Sequence, residues 1–102
     1  MIIVILWWWK MIDKLLNGET IIYKAKGTSM SPVIRSMQPV RVEPVELLNC
    51  KVGDIVLCKV HGRVYLHFIK AMNEKHGVQI GNNRGHINGW TRTVYGKVTK
   101  IG

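Results

Sequence analysis

The chain has 102 residues, 47% hydrophobic and 21% charged, a balance that excludes intrinsic disorder and favours one domain around a modest core. Lys and Arg total 15 against 6 acidic residues, and the formal charge of +9 suits an anionic partner such as nucleic acid, acidic lipid or an acidic peptide. The cations are scattered rather than gathered in a block, so dedicated nucleic-acid binding is not the expected function and a weak anionic partner is.

Ile2 to Trp9 is a continuous apolar run closed by Lys10. It is far shorter than the roughly 20 residues a membrane-spanning helix needs, and it lacks the basic start and small-residue exit of a secretory signal. Trp7, Trp8 and Trp9 suit either self-association or contact with a membrane surface. The spacing of Met11, Ile12, Leu15 and Leu16 predicts a helix over Lys10 to Leu16, terminated by Asn17-Gly18. Residues 1–19 thus form an apolar segment with a short helix, ahead of a second unit over 20–102.

Thr20 to Lys26 reads as a strand, rich in Ile and Tyr, that delivers the chain to Gly27-Thr28-Ser29-Met30-Ser31-Pro32. This is a turn by composition, with Gly27 permitting unusual dihedrals and Pro32 stiffening the exit. It places Ser29 as a candidate hydroxyl nucleophile; the same residue is also compatible with an ordinary turn serine. Val40-Arg41-Val42-Glu43 alternates as a half-exposed strand bounded by Pro39 and Pro44. Glu46 to Val52 is a connector, and Gly53-Asp54 a turn in which Asp54 is expected to bond nearby backbone. Ile55 to Val60 and Arg63 to Met72 make a hairpin around His61-Gly62. Val78 to Ile80 is a further strand, Gly81 to Trp90 a polar irregular loop, and Thr93 to Ile101 a final strand. The sum is mainly β: short strands in a small coiled sandwich or partial barrel, with one N-terminal helix.

Cys50 and Cys58 are the only cysteines and are expected as buried free thiols, which fits a reducing cytoplasm. The histidines have no zinc-type spacing with them, so neither a metal nor another cofactor is expected. His67 is a candidate general base, because an imidazole of pKa near 6.5 is largely neutral at physiological pH. Lys70 is the alternative base, provided it is desolvated enough to lose its proton near neutrality.

Four blocks, in order, resemble the signal peptidase I and LexA-type serine peptidases. Gly27-Thr28-Ser29-Met30-Ser31-Pro32 is similar to their G-x-S-M-x-P nucleophile box, and Val52-Gly53-Asp54-Ile55-Val56 to their V-G-D-I-V strand opening. Tyr65-Leu66-His67-Phe68-Ile69 stands where the family carries its Lys or His base, and Ile80-Gly81-Asn82-Asn83 resembles the following G-D-N segment. The likeness runs from about Gly27 to Gly102 and is nearest to small signal-peptidase-like proteins of phages and prophages. It implies the compact β core of that catalytic domain over 20–102. It also implies a Ser29–His67 dyad acting on peptide bonds of a protein or peptide substrate. The Ser29 N–H, with Thr28, would serve the oxyanion, and Asn82 stands where His-using members have an orienting acid. Phe68 replaces the arginine that usually follows the base, and Gly27 lacks the side-chain hydroxyl some members place there. With Asn82 and Phe68 at those positions, a catalytically weak or inactive module that binds a partner, such as a phage regulator or inhibitor, is the alternative expectation. No helix-turn-helix pattern precedes Ser29, so a LexA-type repressor is not expected.

Overall fold

The computed structural model describes residues 10–102. The tryptophan run Trp7-Trp8-Trp9 and the apolar stretch Ile2 to Trp9 lie outside the described residues. Among the described residues, no helix is long and apolar enough to cross a membrane.

Residues 10–16 are helical. The helix ends in a Schellman-type cap: Glu19 N–H donates to the Lys14 carbonyl at 2.9 Å and Gly18 N–H to the Leu15 carbonyl at 3.0 Å. Gly18 has φ +84°, the left-handed conformation that such a cap requires. Met11, Ile12 and Leu15 pack on the domain, whereas Leu16 is 66% exposed, one residue past the buried face. The apolar stripe is therefore narrower than the sequence predicts.

Seven strands follow: β1 (Ile21–Lys24), β2 (Pro39–Pro44), β3 (Ile55–Val60), β4 (Arg63–Asn73), β5 (Gly77–Gly81), β6 (Ile87–Thr91) and β7 (Val94–Ile101). They form one antiparallel sheet in the order β1-β2-β7-β3-β4-β5-β6. A single 3₁₀ turn at Leu47–Asn49 interrupts the β2–β3 connection.

The central strand explains the two-sided burial. In β3, Ile55 and Leu57 enter one core with Leu15, Tyr23, Met30, Val42 and Leu66; Val56, Cys58 and Val60 enter a second with Ile69, Val78 and Ile80. Successive strand residues point to opposite faces, so a run apolar at every position is what a strand covered on both sides needs. Cys50 and Cys58 are buried free thiols, and burial pushes the Cys58 thiol up to about 12.

The β3–β4 hairpin turns at His61-Gly62, both with positive φ (48° and 81°), as a two-residue type I′ turn demands. β6 then curls back toward β3: Thr91 Oγ1 donates to the Lys59 carbonyl at 2.6 Å, and Lys59 N–H to the Thr93 carbonyl at 3.0 Å. Strands β3 to β6 thus wrap into a partial barrel. Ile87–Thr91 is a strand where composition suggested an irregular loop, because its pairing with β5 overrides the local Gly/Asn content.

Candidate active site

Leaving β1, the chain enters a tight loop that carries Ser29. Ser31 N–H donates to the Thr28 carbonyl (3.1 Å), Ile34 N–H to the Met30 carbonyl (2.9 Å), and Met37 N–H to the Ala25 carbonyl (2.7 Å). Gly27, at φ +124°, donates its N–H to Ser36 Oγ at 3.0 Å. Met30 and Ile34 are buried in the first core, so the side chains that follow Ser29 anchor the loop. The Ser31–Pro32 peptide is cis.

His67 lies on β4 opposite Val56 of β3. Its residue is only 7% exposed, yet its ring edge reaches the nucleophile loop: Ser29 Oγ stands 3.0 Å from His67 Nε2. On the far side of the ring, Nδ1 is 2.7 Å from Asn88 Oδ1 on β6. The amide oxygen only accepts, so Nδ1 carries the proton and donates it to Asn88. Nε2 is then the lone pair that accepts the Ser29 hydroxyl. The Tyr65 ring stacks on the imidazole, with centroids 5.0 Å apart and planes inclined by 27°. Burial pulls the His67 pKa below its ordinary value; the hydrogen bond to Asn88 opposes this, and the charges of His86 and Lys70 add to it. The ring is consequently neutral at physiological pH, the state a general base needs.

Of the residues singled out in the sequence, the structure brings Ser29 and His67 together. It does not bring Asn82 to the imidazole. Asn82 Oδ1 instead accepts from the N–H groups of Arg84 (2.8 Å) and His86 (3.0 Å), folding the β5–β6 loop. The orienting amide is Asn88, six positions later, where the loop has turned back and β6 lies alongside β5. Lys70, the alternative base, is exposed with Nζ 4.9 Å from the Phe68 ring centroid, and Ser29 Oγ is bonded to His67 instead. Thr28 contributes its carbonyl to the loop hydrogen bonds. Asp54 is structural: Oδ2 accepts from the Lys51 N–H at 2.9 Å and meets Lys97 Nζ at 3.6 Å.

The β5–β6 loop also braces the backbone around Ser29. Asn83 N–H donates to the Ser29 carbonyl at 3.0 Å and Asn83 Nδ2 to the Ser31 carbonyl at 3.0 Å, while Arg84 Nε donates to the Thr28 carbonyl at 3.1 Å. The Thr28 and Ser29 carbonyls belong to the peptide units whose N–H groups are those of Ser29 and Met30. A donor on the carbonyl polarises its own amide and strengthens the N–H at the other end, more so when the donor is a guanidinium. Neither the Ser29 N–H nor the Met30 N–H has an acceptor among the described residues. Both N–H groups are thereby strengthened as donors next to the Ser29 side chain. Arg84 and Asn88 are not singled out in the sequence, and Asn83 enters there only as the end of the Ile80-Gly81-Asn82-Asn83 block. The cue available there was the Asn82-x-x-Gly85 turn followed by Ile87-x-x-Trp90-Thr91, a β-rich run able to carry an inward-facing Asn88.

A cleft of about 310 Å³ opens at Ser29 and His67, between the end of β1 with its following loop and residues 64–67 of β4. Tyr23, Met30, Ile34, Val64 and Leu66 line it with apolar surface, and Lys26 and Arg35 stand among its walls. Among the described residues, β1 pairs only with β2, and β4 pairs with β5 only from Phe68 onward. Both strands bordering the cleft therefore have a backbone edge outside the sheet ladder.

No protein-family model matches the chain, and no curated protein matches it.

Proposed function

We propose that this chain is a serine peptidase of the signal peptidase and LexA type, cleaving peptide bonds with Ser29 as nucleophile and His67 as general base. The observation that carries the reading is the Ser29 Oγ–His67 Nε2–Nδ1–Asn88 Oδ1 relay, with links of 3.0 and 2.7 Å. Support comes also from the order of the four sequence blocks and from an antiparallel sheet that sets the Ser29 loop, after β1, against His67 on β4.

The substrate would enter as an extended strand and add its backbone to the free edges of β1 and β4. Ser29 Oγ attacks the scissile carbonyl carbon as its proton passes to His67 Nε2, giving a tetrahedral oxyanion held by the Ser29 and Met30 N–H groups. The imidazolium next donates that proton to the departing amine, leaving an ester on Ser29. A water, deprotonated by His67, hydrolyses the ester and restores the starting state. Asn88 holds the tautomer and ring plane throughout. It supplies no negative charge to the imidazolium, so turnover should be slow beside a Ser-His-Asp site.

That same amide favours a second reading, in which the cleft holds a peptide strand with little or no hydrolysis. Digestion of a diverse peptide mixture, followed by mass spectrometry, separates the two. Cuts made by the native chain and lost in both Ser29→Ala and His67→Ala establish the peptidase. The absence of Ser29-dependent cuts across about pH 6 to 10, the span over which a His or Lys base works, supports the binding module.

A further inference from the structure

The cleft is cationic at its rim and apolar at its floor, and nothing in the relay accounts for the cations. Lys26 and Arg35 both line it and both are exposed. No carboxylate lines the cleft among the described residues. The ion pairs formed among those residues, Arg41–Glu43 and Lys97–Asp54, leave Lys26 and Arg35 without an acidic partner. Arg84 extends the same sign beyond the nucleophile, with its guanidinium on the Thr28 carbonyl. Beneath the rim, Tyr23, Met30, Ile34 and Leu66 are buried side chains whose exposed edges form an apolar seat.

We propose that the cleft selects peptides that carry an acidic side chain close to the scissile bond, read by Lys26 and Arg35, with an apolar neighbour on the seat below. The inference rests on the peptidase reading for its chemistry, though not for its binding. In an extended strand, alternate side chains point to the same side. A residue directed at the floor is therefore flanked by side chains directed away from it, toward the rim. Glu or Asp there meets two unpaired cations, whereas Lys or Arg meets like charge; discrimination of this kind comes from repulsion as much as attraction.

Peptide pairs that differ only by Glu, Gln or Lys within three residues of a common cut site provide the test. Two quantities are read: kcat/KM with the native chain, and peptide binding by fluorescence anisotropy with Ser29→Ala. Glu is expected to exceed Gln by about three- to tenfold in both, the span two partly solvated charges provide. The ratio should shrink toward one near 0.5 M salt, where the screening length is only about 4 to 5 Å. It should also collapse in Lys26→Ala/Arg35→Ala and invert toward Lys in Lys26→Glu/Arg35→Glu. A control, Lys51→Ala/Lys59→Ala, removes two exposed cations that do not line the cleft and should keep the native ratio. Equal binding and cleavage of the three peptides overturns the proposal, as does a preference for Glu that survives loss of Lys26 and Arg35. Displacement of the peptide by a short single-stranded DNA at comparable charge, but not by excess acidic peptide, likewise overturns it in favour of nucleic acid. Cleavage without charge preference refutes the acidic class and leaves the peptidase standing. Charge-selective binding to Ser29→Ala with no cleavage by the native chain does the reverse.

Discussion

Replacing Asn88 by Asp probes the relay at the point where it departs from a Ser-His-Asp arrangement. The amide oxygen is 2.7 Å from His67 Nδ1, so a carboxylate in its place lies in direct hydrogen-bond contact with the imidazole, charge centres about 4 Å apart. Two unit charges at that separation interact by about 4 kcal/mol at an effective dielectric near 20. Asn88 is half-buried, and solvent screening reduces this to roughly 1.5 to 2.5 kcal/mol. The expected consequence is a rise of about 1 to 2 in the pH at which His67 titrates, opposing the depression that burial imposes. Because the same charge stabilises the imidazolium that forms as Ser29 is deprotonated, kcat/KM above the new acid limb should rise about 10- to 50-fold. The assay has two parts: NMR titration of the His67 ring, which needs no substrate, and the pH profile of peptide cleavage. An unchanged His67 titration in Asn88→Asp would refute the contact. A shifted titration with no gain in rate would refute the role of His67 as base.

Three further expectations follow from the same geometry. Asn83→Ala removes the donor to the Ser31 carbonyl while keeping its own N–H on Ser29, so kcat should fall about three- to tenfold with little change in folding; steady-state kinetics beside a thermal melt checks this. Gly96→Ala should destabilise by about 1 to 3 kcal/mol, since a Cβ there would stand 2.7 Å from both the Glu43 carbonyl and Val42 Cγ1; a melting temperature within a degree of native would contradict the β2–β7 packing. His67 titrates lower in the folded chain than in the unfolded one. As pH falls below about 6.5, the unfolded state therefore takes up the proton first, and stability drops until the folded ring also protonates. Urea unfolding from pH 7.5 to 5 should show this loss in the native chain and a smaller one in His67→Gln. A native chain that gains stability over that range relative to the variant would contradict it.

Much of this arrangement is legible in the sequence because its signals are local. The alternation in Val40–Glu43, the two-residue His61-Gly62 turn and the all-apolar Ile55–Cys58 run depend on neighbours within a few residues. Ser29 and His67 are legible because each sits within a recognisable block. Asn88 is not, because the choice between it and Asn82 depends on how the intervening loop folds. Asn82 spends its oxygen on two N–H groups of its own turn, and the antiparallel return of β6 then sets residue 88 beside a histidine 21 positions earlier. Such a pairing leaves no periodic trace. The exposure of Leu16 is likewise invisible locally: its place on the helix suits burial, but only Met11, Ile12 and Leu15 pack on the core. The bonds that brace the Ser29 loop come from the Asn83 N–H, the Asn83 side-chain amide and the Arg84 guanidinium, residues that composition alone reads as loop polarity.

The most direct test of the central claim is reaction with a fluorophosphonate, followed by intact mass and peptide mapping. An activated serine displaces fluoride from phosphorus and keeps the phosphonyl group, so labelling reports the nucleophile and its base without knowledge of the substrate. A single adduct on Ser29 is expected, absent in Ser29→Ala and formed at least about 100-fold more slowly in His67→Ala, the order expected for loss of a general base. Labelling at another residue, or at Ser29 with the same rate in His67→Ala, would contradict the Ser29–His67 dyad.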